Sequence, residues 1–228
     1  VAKFYYENQA ITQIFKPPHH EREVKYKPII SYKPFERVYI DTMYLIYPKQ
    51  TLAIVTIYDL FSKYGDARSI AIKAGAKNIS SEKTREAFSE MLETIHGLGY
   101  EVNTVYSDNG NEYIKNFDSF LTEKHIVHIF GNVDDKRMTS PIERFNGTLR
   151  LSIEKYKVTY GRVSKNVLPA IIDAYNNSVH SVGYTPMDIL KSESIQKIVE
   201  PHTQTDPDFQ NPYSYLKITA RSVRRELA

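Results

Sequence analysis

The sequence predicts an α/β domain built on a mixed five-stranded sheet flanked by helices, with extended N- and C-terminal arms. Three observations predict it. Residues 35 to 72 hold three runs rich in β-formers joined by short links, the pattern of an antiparallel meander. Residues 81 to 98 then switch to helical period. Beyond them short strands and helices alternate, as in layered α/β folds.

The elements follow in order. Residues 1 to 36 read as an arm, with KPPHHEREVKYKP rich in Pro and charge. His19 and His20 have no further ligand at metal spacing and read as part of a solvated loop. FERVYIDTMYLI, 35 to 46, is apolar on both faces and reads as a central strand. QTLAIVTIYDLFS follows the turn at 47 to 50 as a second strand, and KYGDARSIAI, 63 to 72, as a third. In the helix at 81 to 98, Phe88, Met91, Leu92, Ile95 and Leu98 form one stripe. EVNTVYS, 101 to 107, is a short strand ending in SDNG. A short helix at 113 to 124 and a strand HIVHIF at 125 to 130 complete the sheet. GNVDDKRMT, 131 to 139, has no apolar period and reads as a loop. Helices are expected at 141 to 158, at about 164 to 179, and from Thr185 as cap with Pro186 in the first position. The tail from 200 is polar and ends in the basic KITARSVRRELA.

Composition limits the function classes. The chain has 228 residues, 41% hydrophobic and 25% charged, enough for one sizeable core. A net charge of +3 does not by itself show nucleic-acid binding. The absence of cysteine excludes disulfides and Cys-based zinc sites within this chain. No apolar run is long enough to span a membrane, and VAKFYYENQ has no signal-peptide core, so an intracellular, non-secreted protein is expected. A first residue of Val suggests a fragment or a trimmed chain.

Three acids stand out. Asp41 interrupts an apolar strand, where an ionised carboxylate is costly unless paired, solvated or metal-bound. Asp108 ends a strand, where ligand sites concentrate, yet Asp-Asn-Gly is also a plain turn signal, with Gly110 allowing a sharp bend. Glu143 sits in Ser140-Pro141-Ile142-Glu143, which matches a capping box. On that helix Ile142, Phe145, Leu149 and Ile153 form the buried stripe, while Glu143, Asn146, Gly147, Arg150 and Glu154 share another face. Gly147 costs about 1 kcal/mol against Ala in a helix interior. Close packing or a large approaching partner would each account for it. Each acid alone has a dull explanation. Together they form a trio able to converge on two Mg²⁺ ions at a phosphodiester.

At these residues the chain resembles the catalytic core of retroviral-type integrases, in the DDE transposase and integrase superfamily with its RNase H-like fold. The resemblance runs from about residue 35 to 191. It rests on YIDTMYL, on IVTIYDLFSKY, on YSDNGNEY, on SPIERFNGTLR and on AYNNSVHSVGYTPMDIL. Within the superfamily, the arm NQAITQIFKP resembles integrases of Polinton/Maverick-type elements and related DNA viruses. Between Asp108 and Glu143 lie 34 residues, one fewer than is typical of retroviral integrases. The family's zinc module would lie upstream, and its C-terminal module is not visible. The resemblance divides the chain into an arm (1–36), a catalytic core (37–193) and a tail (194–228).

The resemblance implies metal-dependent 3′-end processing and strand transfer of element or viral DNA into target DNA, in the nucleus or a viral particle. It implies Asp41, Asp108 and Glu143 as catalytic metal ligands for Mg²⁺ or Mn²⁺, two ions per site with DNA bound. Lys136, Arg137, Arg144 and Arg150 are expected DNA contacts, or else solvated surface charges. Asn109, Glu112 and Asn146 are expected to orient the ligands from behind. Asn176 and His180 read as structural, and Tyr106 and Phe145 as core. Self-association to a dimer or tetramer is also implied. Two rivals remain: an RNase H-like nuclease that cuts without joining, and an inactive DNA-binding or assembly module.

Overall fold

The computed structural model describes residues 29–47, 50–131, 140–160 and 167–200. The five strands are β1 (Arg37–Ile46), β2 (Thr51–Asp59), β3 (Gly65–Ile72), β4 (Thr104–Ser107) and β5 (Val127–Phe130). They form one sheet in the order β3-β2-β1-β4-β5. β1 to β3 are the antiparallel meander, and β4 and β5 run parallel to β1. The expected fold class is therefore the observed one, and β1 is the central strand.

Two helical layers cover the sheet. On one face lie α1 (Ser81–Gly97) and α2 (Asn116–Glu123), preceded by a 3-10 turn at Asn111–Tyr113. On the other lie α3 (Ser140–Tyr160) and α4 (Val167–Asn176). Two short helices follow, α5 (Pro186–Lys191) and α6 (Glu193–Val199). Strand alternation explains both faces. Val38 and Ile40 join Ala53, Val55 and Ile57 beneath α1, with Phe88, Met91 and Ile95. Met43 and Leu45 point the other way, against Phe145, Leu149 and Ile153 of α3 and Leu168 and Ile172 of α4.

Local signals account for most boundaries. Ser80 caps α1 through the Lys83 amide, and Thr185 caps α5 through the Asp188 amide at 3.0 Å, with Pro186 next. α6 has no buried residue, so no apolar stripe announced it. Its Gln196 Nε2 donates to the Ile189 carbonyl at 2.8 Å and the Tyr100 hydroxyl at 2.9 Å. Ser140 is already helical, so it does not cap α3 from outside, and the cap position falls outside the described residues. Residues 1–28 of the expected arm, 132–139 of the expected loop and 201–228 of the expected tail also lie outside them, and with them Lys136 and Arg137.

Candidate active site

The site is built on a small aromatic platform. Tyr39 in β1 and Tyr106 in β4 pair in register and stack, and Ile142 of α3 packs on both. Asp41 stands two residues beyond Tyr39, Asp108 two beyond Tyr106, and Glu143 one beyond Ile142. Strand alternation puts Asp41 on the face of Tyr39, just where β4 ends and β1 continues. The three acids line one cleft of about 80 Å³, with Tyr39, Ile40, Tyr106, Ser107 and Ile142 as its other walls.

Each acid has a distinct setting. Asp41 is half-buried. Its Oδ1 accepts from the Thr42 amide at 2.8 Å, and its Oδ2 from Asn146 Nδ2 at 2.7 Å. Burial raises the Asp41 pKa, and the charges of Asp108 and Glu143 add to the rise; the two hydrogen bonds oppose it. Asp108 is exposed, and its Oδ1 accepts from the Gly110 amide at 2.9 Å. Glu143 is exposed in the first turn of α3. Like charges close enough to perturb one another thus share the cleft. Even so, among the described residues no three acidic or histidine side chains stand close enough together to hold a metal ion as they are placed.

The three residues expected behind the ligands have separate roles. Asn146 is buried and holds Asp41; its Oδ1 has no hydrogen-bond partner among the described residues. Asn109 Nδ2 donates to the Gly131 carbonyl at 3.1 Å, tying the ends of β4 and β5 together. Glu112 lies in the 3-10 turn, and burial, with a smaller contribution from Asp108, raises its pKa. Gly110 has φ −64°, which any residue adopts, so the sharp bend does not require glycine. A Cβ there would stand 2.7 Å from Glu112 Oε2 and 3.0 Å from Asp108 Oδ1, so a larger residue would make the Glu112 carboxylate shift.

Of the expected DNA contacts, Arg144 and Arg150 lie exposed on α3. Arg144 Nε donates to the Ser140 carbonyl at 3.3 Å. Gly147 is also exposed, and a Cβ there would meet nothing within 4 Å, so close packing within the described residues does not account for it. Asn176 closes a two-bond clamp on Gly65, accepting its N–H at 3.0 Å and donating to its carbonyl at 2.8 Å. His180 packs edge-on against Tyr175, with Nε2 3.1 Å from the Tyr175 carbonyl oxygen. Both are structural in this arrangement.

Other residues came to light only in three dimensions. The Tyr113 hydroxyl is 2.8 Å from Thr42 Oγ1, which ties the turn after Asp108 to the strand beside Asp41. Tyr113 belongs to the YSDNGNEY stretch, and that was its only signal. Asp59, the acid of IVTIYDLFSKY, is buried and accepts from the Phe35 amide at 3.0 Å, the Ser62 amide at 2.8 Å and Ser62 Oγ at 2.6 Å. It clasps the β2–β3 turn. A larger groove of about 620 Å³ lies elsewhere, between β3, α1 and α4, with no part of the acid trio in its walls.

The architecture is the RNase H-like fold of retroviral integrase catalytic cores. The chain superposes on the HTLV-2 integrase catalytic core, solved in complex with magnesium, with a TM-score of 0.55 and 22% identity over 68% of this chain and 96% of that one. It superposes on the simian T-cell lymphotropic virus intasome with a TM-score of 0.65 and 18% identity, over 90% of this chain and 70% of that one. The BIV integrase core gives a TM-score of 0.55 and 15% identity over 72% of this chain and 98% of that one. In sequence, the chain is 28% identical over 119 residues to an uncharacterized transposon-derived protein of Caenorhabditis elegans, across 51% of this chain and 41% of that protein. No protein-family profile matches the chain.

Proposed function

We propose that the chain is the catalytic core of a DDE-type integrase, which trims 3′ ends of element or viral DNA and joins them to target DNA. One observation carries the reading. The Tyr39–Tyr106–Ile142 platform gathers Asp41, Asp108 and Glu143, far apart in sequence, around a single cleft at the C-terminal end of β4. The likeness to integrase cores and to a transposon-derived protein supports it.

The donor set fits Mg²⁺ or Mn²⁺. All three side chains offer oxygen, and Asp41 and Asp108 keep lone pairs beyond their hydrogen bonds. Burial first, and then the charges of Asp108 and Glu143, push Asp41 toward its neutral form, and a bound divalent cation favours the ionised form instead. When bound, two such ions would supply an activated attacking oxygen and charge stabilisation at the leaving one.

The chain's own residues supply the rest. Asn146 and Thr42 favour the ionised form of Asp41 and fix its direction. The Gly110 amide fixes the direction of the Asp108 side chain. Arg144 and Arg150, with Lys136 and Arg137 from the neighbouring loop, take up DNA phosphates. The open face at Gly147 lets a strand approach α3. In this reading residues 37–193 are the catalytic unit between an arm and a tail, acting on DNA in the nucleus or a viral particle. Two DNA ends on one target require self-association, as a dimer or tetramer. We further propose an origin among Polinton/Maverick-type elements or related DNA viruses, on the resemblance of the arm NQAITQIFKP alone.

The test is strand transfer with labelled oligonucleotides from the element termini, with and without Mg²⁺. Joined product that needs both Mg²⁺ and Glu143 supports the reading. Cleavage without joining would select an RNase H-like nuclease. A second reading, an inactive DNA-binding or assembly module, is favoured by the incomplete convergence of the three carboxylates. Failure to bind Mn²⁺ in the presence of DNA would select it.

A further inference from the structure

We propose that Asp118 and His128 are positioning residues for Asp108, acting through Ser107. The His128 side chain, in β5 beside β4, is 5% exposed, while that of Asp118 in α2 is 48% exposed. His128 Nδ1 is 2.8 Å from Asp118 Oδ1, and Nε2 is 2.9 Å from Ser107 Oγ. Ser107 Oγ also donates to the Asp108 carbonyl oxygen at 2.8 Å. A hydrogen-bonded chain therefore runs from a surface carboxylate, through a buried ring and a hydroxyl, to the main chain of the second acid. Phe117, edge-on at 5.7 Å, and Phe130, at 4.1 Å, hold the ring between them.

Counting protons shows how the chain works. Asp118 accepts, so Nδ1 carries a proton. Ser107 has one hydroxyl proton and two acceptors in reach. When it donates to the Asp108 carbonyl, Nε2 must donate to Ser107, and the ring holds protons on both nitrogens. When it donates to Nε2 instead, the Asp108 carbonyl loses this bond. The ring's second proton thus decides whether the end of β4 is held. The groups facing the ring are Asp118 from α2 and Ser107 from β4, with the two phenylalanines as apolar walls. Such supporting bonds fix how a ligand carboxylate is presented.

The consequence for chemistry rests on Asp108 being a metal-binding acid; the hydrogen-bond chain does not. Two measurements on the full chain separate them. The first is NMR of the His128 ring nitrogens and of the Asn109 amide, whose peptide contains the Asp108 carbonyl, followed between about pH 5 and 8. The expected result is a protected Nδ1–H and an Asn109 amide shift that follows the ring in the wild type but not in Ser107→Ala. An unprotonated Nδ1, or an Asn109 amide indifferent to the ring, overturns the proposal. If Ser107→Ala fails to fold, Asp118→Asn at the half-exposed end reads the same coupling. The second is Mn²⁺ affinity by calorimetry. Ser107→Ala is expected to weaken it by about tenfold or more, and His128→Ala by less, since Ser107 keeps its own bond to the Asp108 carbonyl. Folded variants that all bind within about twofold of wild type, in a wild type that binds, overturn the positioning role. A wild type that binds no Mn²⁺ would instead sink the metal reading of Asp108, and the NMR result would still decide the chain.

Discussion

Tyr39 and Tyr106 stack with ring centroids 5.2 Å apart and planes 27° apart, side by side on parallel strands. That stack sets the level of the site. With Tyr39 opposite Tyr106, Asp41 within β1 and Asp108 just past the end of β4 come two residues later along parallel strands. Ile142 seated on the same rings delivers Glu143 from the helix layer.

Glu143→Gln tests the trio most directly. The residue is exposed, so stability should change by no more than about 0.5 kcal/mol. Strand transfer should fall below detection while thermal unfolding stays in place. Retained joining would return Glu143 to a role in shaping the helix start.

Asn146→Ala removes a hydrogen bond that lowers the Asp41 pKa, so that pKa should rise further. Ionised Asp41 then requires higher pH. The acid limb of the pH–rate profile should move upward, with the alkaline limb unchanged. An unmoved acid limb would dissociate Asn146 from the chemistry.

Asp59 governs a pH dependence of stability. Burial raises its pKa from 3.8 to about 6, against opposing hydrogen bonds from Ser62. The folded state therefore holds this proton more tightly than the unfolded state. Its contribution is fully present below about pH 3.8 and is lost as pH rises through about 6, on the order of 3 kcal/mol in all. Denaturant midpoints from pH 4 to 7 should show less of this fall in Asp59→Asn than in wild type. Parallel curves would show that Asp59 does not titrate in this range.

Gly65→Ala should distort the site through packing. An added Cβ would stand 2.4 Å from the Phe145 ring, one helical turn or less from Glu143 on α3. The expected cost is about 1–3 kcal/mol by chemical denaturation. Phe145→Leu in the same chain should recover part of it; no recovery would point to the Asn176 clamp as the source.

Gly147→Ala should do the opposite. With nothing within 4 Å, the methyl group should stabilise α3 by about 1 kcal/mol. If DNA lies on this face, DNA affinity should fall even as the melting temperature rises. Arg150→Ala should flatten the salt dependence of binding by about one unit of slope. Unchanged affinity and slope in both variants would move the DNA to another surface.

The sequence by itself determined the order of elements, the central place of β1 and the cap at Thr185, because periodicity and capping are local. It also marked the three acids, through short motifs around each. It missed α6, which buries no stripe, and it misread Gly110, whose φ of −64° is open to any residue. Only the tertiary structure decided that Asn146 grips Asp41, 105 positions away, that Tyr113 reaches Thr42, and that Asp118, His128 and Ser107 form one chain. Those contacts join residues whose neighbours in sequence say nothing of each other. They exist because the sheet register and the Tyr39–Tyr106–Ile142 packing bring the middle of β1, the end of β4 and the start of the Ser140–Tyr160 helix to one place.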